Sequence, residues 1–328
     1  MIITSRTPLR VSFFGGGTDY PEYFQRRHGA VVGMAIDQYI YITAVPLSPI
    51  VEYKYRISYS KLEFVTDTAS IAHPVIRKAF EHYEFDQPLD ISIISDVPAS
   101  TGLGSSSAFT VGLLNLISAL RKQPLTKFEL AKRAIFVERE LLRENVGVQD
   151  QLHAAYGGIN RFDFEAGRIR LSPVQMAGRC QERLIDSMVL IYTGIVRHAS
   201  ATVAEQISST VEKKIDTELG HLLALTDTAV NLLESDSEDH IVEEFGRLLH
   251  EGWLVKRQLS SRISNSNIDE LYERARLHGA CGGKLLGAGG GGFLLLIVPP
   301  ERQSAFLAAM GNVKHRKIKL DTQGSVII

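Results

Sequence analysis

Pro98-Ala-Ser-Thr-Gly-Leu-Gly-Ser-Ser-Ser-Ala108 sets two glycines and three serines directly before an apolar run. A helix that starts from such a loop leaves its first backbone N–H groups unpaired, and its dipole favours an anion there. Gly102 and Gly104 let the backbone wrap a phosphate, and the hydroxyls of Ser105, Ser106 and Ser107 can add contacts or meet a cation. The segment lacks the lysine of a Walker A loop and the third glycine of a dinucleotide fingerprint. A flexible, serine-capped loop is the competing reading.

Two carboxylates follow. Glu138 lies late in a second helical pattern, and Asp150 stands twelve residues on, beyond Asn145-Val-Gly-Val-Gln149. Phosphoryl transfer needs a cation site for nucleotide phosphates and a group that orients or deprotonates the attacking hydroxyl. Glu138 could serve the first need and Asp150 the second. Against this, Glu138-Arg139-Glu140 also reads as a solvated face, and Asp150 as a residue of a Gly/Asn turn. Upstream, Arg10 is embedded in the apolar run Pro8–Phe14, just before Gly15-Gly16-Gly17-Thr18-Asp19. A strand-borne guanidinium can pair with a carboxylate and stabilise charge on a moving phosphoryl group, unless it simply occupies the exposed face. Asp19 can accept hydrogen bonds from sugar hydroxyls or make an Asx turn before Tyr20-Pro21. Near the C-terminus, Gly287 and Gly289 to Gly292 put five glycines within six residues ahead of a strand. A strand entry does not need so many, whereas close backbone approach to a ligand does; a mobile loop is the alternative.

These residues need elements to hold them. Strand patterns cover Ile2–Phe14, two stretches of Ala30–Val45 split near Asp37, Glu52–Val65 and Leu89–Ile94. Helical patterns cover His73–Tyr83, Ser105–Leu120 and Thr126–Glu144, the last opened by a Thr126/Glu129 capping box. Arg161–Leu171 reads as a hairpin. After a strand at Met188–Tyr192 come helical patterns at Ala201–Lys214, Thr217–Ser235, Ile241–Ile263 and Ile268–His278. A strand at Phe293–Val298, a helix at Glu301–Met310 and a last strand within Ile318–Ile328 complete the chain. Strands with a few helices, then mostly helices, predict an α+β protein of two domains, 1–180 and 181–328.

Composition narrows the function. The 328 residues carry 36 Lys plus Arg against 37 Asp plus Glu, a formal charge of -1 that argues against nucleic-acid and membrane-surface partners. With 45% hydrophobic residues the chain can bury a sizeable core. Cys180 and Cys281 cannot make a disulfide framework and lack metal-ligand spacing, which fits a reducing cytoplasm. The N-terminus has no apolar segment of a signal peptide. An intracellular enzyme with a small-molecule substrate is expected; homo-oligomerisation is left open.

Three ordered segments together resemble the GHMP kinases. Thr7-Pro-Leu-Arg10 through Gly15-Gly-Gly-Thr-Asp19-Tyr20 matches the first motif, Pro98–Ala108 the second, and Lys284–Phe293 the third, so the likeness spans most of the chain. The resemblance implies an N-terminal domain like ribosomal protein S5 domain 2 and a ferredoxin-like C-terminal domain. It implies ATP bound at Pro98, Gly102, Leu103, Gly104, Ser105, Ser106 and Ser107, with Mg2+ on Ser106 and Glu138. Asp150 would be the base or positioning group and Arg10 its cationic partner. Gly15, Gly16, Gly17, Thr18, Asp19, Gly289, Gly290 and Gly291 would face the substrate. Gly15-Gly-Gly-Thr-Asp19 departs from the Gly-Glu-His-Thr-Asp of galactokinases, which argues against galactose. Phe13–Pro21, Ala35–Tyr41 and Tyr192–Ala199 resemble the subgroup that phosphorylates the anomeric oxygen of D-glycero-D-manno-heptose 7-phosphate for surface-polysaccharide heptose; fucokinase-like members share much of the pattern. Arg197 is then the candidate for the substrate's own phosphate, a role Arg suits by bidentate bonding, unless it is a surface residue. A non-catalytic sugar sensor is the reading of another class, and the retained Arg10, Ser106, Glu138 and Asp150 speak against it.

Overall fold

The computed structural model describes residues 2–196, 200–235 and 240–328. In chain order the elements are β1 (Ile3–Phe14), α1 (Pro21–Phe24), β2 (Gly29–Pro46), β3 (Tyr55–Ser58), β4 (Leu62–Val65), α2 (Pro74–His82) and β5 (Leu89–Ser95). Next come α3 (Ser105–Leu120), α4 (Lys127–Phe136), α5 (Gln149–Tyr156), β6 (Ile159–Glu165), β7 (Arg168–Pro173) and α6 (Gly178–Asp186). The rest are β8 (Met188–Tyr192), α7 (Ser200–Val211), α8 (Asp216–Leu233), α9 (Ile241–Lys256), α10 (Ser266–Leu277), β9 (Gly282–Leu285), β10 (Phe293–Ile297), α11 (Gln303–Met310), β11 (His315–Lys317) and β12 (Val326–Ile327). The α+β order is the expected one.

Two sheets organise the chain. The larger runs β12-β1-β2-β5-β3-β4, and β6 with β7 extends from β2. From Thr7 onward β1 is buried on both faces, because α3 lies against one and α8 and α9 reach the other. β2 is fully buried in its first half and alternates buried and half-exposed in its second, the pattern of a strand whose sheet turns one face to water. The expected break near Asp37 is not a chain break. β2 runs through it as one strand, and the register on β1 shifts between Pro8 and Leu9, so a bulge absorbs the extra residues. The expected strand Glu52–Val65 is a β3–β4 hairpin.

The smaller sheet, β11-β8-β10-β9, is antiparallel and backed by α9. One apolar core runs between the lobes: Phe13 and Phe14 of β1 meet Phe245 of α9 edge-on, with ring centres 5.1 and 5.5 Å apart. This packing holds the end of β1 against the second lobe, where a cleft forms. We propose residue 180, within α6, as the division between lobes. β12 returns to β1 and Leu320 bridges Ile36, so the final residues complete the first sheet.

Two departures bear on the site. The helix expected to reach Glu144 ends at Phe136 and continues as a π-helical turn over Val137–Leu141. Asp150, expected in a turn, lies in the first turn of α5. No helix among the described residues is long and apolar enough to cross a membrane.

Candidate active site

The cleft has a volume of 1040 Å³ and lies where the end of β1, the loop into α3, the start of α5, the end of α9 and the loop after β9 converge. Gly104, the N-cap of α3, has φ +75, so the chain reverses into the helix without a side-chain cap on its first N–H groups. Ser105, Ser106 and Ser107 border the cleft with those groups. A 16-residue helix with an uncapped, glycine-led start facing a cavity is suited to an anion.

Arg10 and Asp150 meet directly beside this loop. Arg10 Nε donates to Asp150 Oδ1 at 2.7 Å and Nη2 to Oδ2 at 2.7 Å, while Nη1 donates to the Gly102 carbonyl at 2.6 Å. Arg10 is 5% exposed, which dismisses the reading of an exposed strand position. One fork thus fixes a carboxylate from α5 and the backbone of the phosphate-type loop at once. A Cβ at position 104 would stand 3.2 Å from both Arg10 Cγ and Asp150 Oδ2, so the loop rests on the pair.

Asp19 occupies the neighbouring wall. It is 1% exposed and accepts from Gly17 N–H at 2.9 Å and, weakly, from Gln149 N–H at 3.4 Å. Burial raises its carboxyl above the ordinary range; the Gly17 bond opposes this and the charge of Asp150 adds to it. A buried carboxylate in that state gains from hydroxyl donors. Gly15, Gly16 and Gly17 also line the cleft.

Other expected contacts are not of this kind. Thr18 is fully buried away from the cleft, with Oγ1 between the Gly15 and Ala30 carbonyls, so it staples the glycine turn to β2. Leu103 points into the core, and its carbonyl accepts from Arg10 N–H. Gly289 and Gly291 border the cleft; Gly290 does not, and its N–H is bound by the Ile263 carbonyl. Pro98 lines the cleft. Arg197 lies outside the described residues.

Glu138 is fully buried rather than on a solvated face, and its carboxylate accepts from the Ser107 hydroxyl at 2.9 Å. Gln151 of α5 donates to the same oxygen, and Glu138 Oε1 has no partner among the described residues. Burial pushes this carboxyl up to about 7, against the hydrogen bonds of Thr110, Ser107 and Gln151. Ser106 is exposed and borders the cleft one residue before Ser107. The orphaned Glu138 oxygen and the Ser106 hydroxyl are hard oxygen donors of the kind Mg2+ takes, with phosphates and water completing its shell, although Glu138 lies behind Ser107 and does not itself line the cleft. No group of three or more His, Cys, Asp or Glu among the described residues could hold a metal alone.

Several cleft residues had been given no individual role by the sequence. Gln149 sat in a quoted segment without a role. Tyr59, His73 and Phe109 form an aromatic end, with ring centres 5.0 Å (Tyr59–His73) and 4.7 Å (His73–Phe109) apart. Lys284 and Lys256 face the cleft from β9 and α9; only Lys284 lay in a recognised motif.

Behind the pair, His153 of α5 is fully buried, and neither ring nitrogen has a partner among the described residues. Burial, with the charge of Arg10 adding, pushes it down to about 3. The folded protein therefore holds it neutral while the unfolded chain binds a proton below about 6.5, so its contribution is present above that pH and is lost as pH falls toward 3. Between pH 7 and pH 5 this site should remove about 2 kcal/mol of stability. His153→Gln should flatten that part of the curve in urea unfolding at the two pH values; an unchanged slope would show that other groups cause the acid loss.

The model of the GHMP kinases N-terminal domain matches residues 70–158, and that of the GHMP kinases C-terminal domain matches residues 233–315. A D-glycero-alpha-D-manno-heptose 7-phosphate kinase of Campylobacter jejuni is 29% identical over 304 residues, covering 88% of this chain and 86% of that protein. The L-fucokinase/L-fucose-1-P guanylyltransferase of Bacteroides fragilis is 25% identical over 326 residues, covering 88% of this chain and 34% of that longer protein. Among solved structures, a D-glycero-D-manno-heptose 1-phosphate kinase from Bacteroides thetaiotaomicron superposes with a TM-score of 0.75 at 24% identity, over 100% of this chain and 99% of that one.

Proposed function

This chain belongs to the GHMP kinases, and we propose that within them it is a sugar kinase that transfers the γ-phosphoryl group of ATP to the anomeric hydroxyl of D-glycero-D-manno-heptose 7-phosphate. The observation that carries the chemistry is the Arg10–Asp150 fork set against the Gly102–Ser107 loop, with Asp19 on the next wall of one cleft. The heptose phosphate is supported by the Campylobacter jejuni relative, which aligns across both lobes.

In this reading the N–H groups of Ser105 to Ser107 hold the nucleotide phosphates. Asp19 accepts from sugar hydroxyls and sets the ring's orientation. Asp150 takes the proton of the anomeric hydroxyl as its oxygen bonds to the γ-phosphorus and the bond to the β,γ-bridging oxygen breaks, leaving ADP. Arg10 holds Asp150 in place and offsets the charge that develops on the phosphoryl oxygens. An anomeric hydroxyl is more acidic than an ordinary alcohol, so positioning does most of the work. Ser106 and Glu138 would hold Mg2+, which when bound neutralises phosphate charge. The product is the 1,7-bisphosphate.

The Bacteroides fragilis relative favours one second reading, a 1-kinase for an unphosphorylated sugar such as fucose. The test is ADP release with ATP, Mg2+ and a panel of heptose 7-phosphate, unphosphorylated heptose, fucose, mannose and galactose. Turnover with heptose 7-phosphate at least 100-fold above the others is the expected result. Turnover of free fucose at that level selects the second reading, and binding without turnover of any sugar selects the sensor.

A further inference from the structure

Lys256, on the last turn of α9, lines the cleft and is otherwise mostly enclosed. Its Nζ donates to the carbonyls of Leu285 at 2.9 Å and Gly287 at 2.6 Å, and no carboxylate among the described residues lies within ion-pair distance of it. Lys284, 7% exposed, is in the same position: its Nζ donates to the Phe13 carbonyl at 2.7 Å and it has no acidic partner there. Arg10 completes the group, and its guanidinium is already committed to Asp150 and Gly102.

Three basic side chains therefore share one wall of a cavity, and the carboxylates facing them are Asp150, held by Arg10, and Asp19. Enclosed charge without a counter-charge is costly, so a protein keeps it where a ligand supplies the opposite sign. Burial, with Arg10 adding, pushes Lys256 down to about 7, as expected of an amine still waiting for its anion. Position narrows the ligand. Leu259, one turn beyond Lys256, stands against Gly17 on the Asp19 side, and Gly287, whose carbonyl Lys256 holds, stands against Gly102 of the loop into α3.

We infer that Lys256 is a further phosphate-binding residue of the cleft, placed where the sugar end and the nucleotide loop meet. The inference rests on the kinase reading above and adds a residue to it. Two phosphates could meet the ammonium, the γ-phosphate of the nucleotide and the phosphate carried by the sugar.

Calorimetric binding separates them. The probes are adenosine, a β,γ-imido analogue of ATP with Mg2+, heptose 7-phosphate and unphosphorylated heptose. Lys256→Gln keeps a donor for the Leu285 and Gly287 carbonyls without the charge, and Lys256→Arg keeps the charge. The glutamine variant should bind at least one phosphate-bearing probe about tenfold or more weakly, with adenosine and unphosphorylated heptose within twofold of wild type. The arginine variant should stay within about threefold of wild type on every probe. Loss confined to the nucleotide analogue assigns the γ-phosphate; loss confined to the sugar phosphate assigns the substrate's own. Unchanged binding of both, or equal weakening of adenosine, overturns the inference, the latter by showing a structural role. If the wild type fails to bind heptose 7-phosphate, the substrate reading falls and the nucleotide analogue alone decides the role of Lys256.

Discussion

Asp150→Asn should lower kcat by about 10³-fold and leave the binding of ATP within a few-fold of wild type, since a positioned base contributes roughly 10²–10⁴-fold. Asparagine retains the shape and can still accept one bond from Arg10, so the loop carbonyl of Gly102 keeps its donor. What is lost is the proton acceptor and the charge that balances the guanidinium. A companion measurement identifies the unit: Arg10 binds both carboxylate oxygens, so Arg10→Met combined with Asp150→Asn should be little worse than the worse single variant. Steady-state ADP release gives kcat, and calorimetry with ATP gives the affinity. A kcat within tenfold of wild type would remove Asp150 from the chemistry, and additive losses would separate it from Arg10.

How far the sequence could lead to this site depends on what each residue type means locally. Arg10 was legible because a guanidinium inside an apolar strand needs a partner, and the structure supplies Asp150. The loop into α3 was legible because glycines and serines before an apolar run have few other uses. Glu138 was located, but its burial was not legible: in Glu138-Arg139-Glu140 a solvated face is the ordinary reading, and only the packing of the π-helical turn Val137–Leu141 encloses the carboxyl against Ser107 and Gln151. Lys256 was invisible because a lysine inside the helical pattern Ile241–Ile263 reads as part of its solvated face; α9 in fact ends at Lys256, and only its docking against the loop after β9 encloses the side chain. Thr18 looked like a ligand contact by neighbouring Asp19, yet it faces the opposite way, into the turn. Helix α6 buries Cys180, Leu184 and Ile185 but spans only nine residues, and β9 and β11 are shorter still, so tertiary packing decides them.

The glycine run after β9 was read as substrate-facing, and much of its work is instead loop against loop. Gly287 has φ +69, and a Cβ there would come within 2.6 Å of Gly102 Cα; Gly102 has φ +82, and its Cβ would come within 2.6 Å of the Leu286 carbonyl oxygen. Phe293 N–H binds the Thr101 carbonyl at 3.1 Å, and Lys256 holds the Gly287 carbonyl from behind, so neither backbone is free to retreat. Gly102→Ala should therefore cost about 2–4 kcal/mol of stability, part from the left-handed backbone and part from the contact, and weaken ATP by about tenfold or more as the loop lifts from Arg10. Gly167→Ala supplies the control. Gly167 also has positive φ, +75, but a Cβ there meets nothing within 4 Å, so it should cost only the backbone share, about 1–2 kcal/mol, and leave ATP binding unchanged. Urea unfolding and calorimetry on the two variants measure the difference. If both lose the same stability and both keep ATP, the two loops do not support each other, and Gly102 serves its own turn alone.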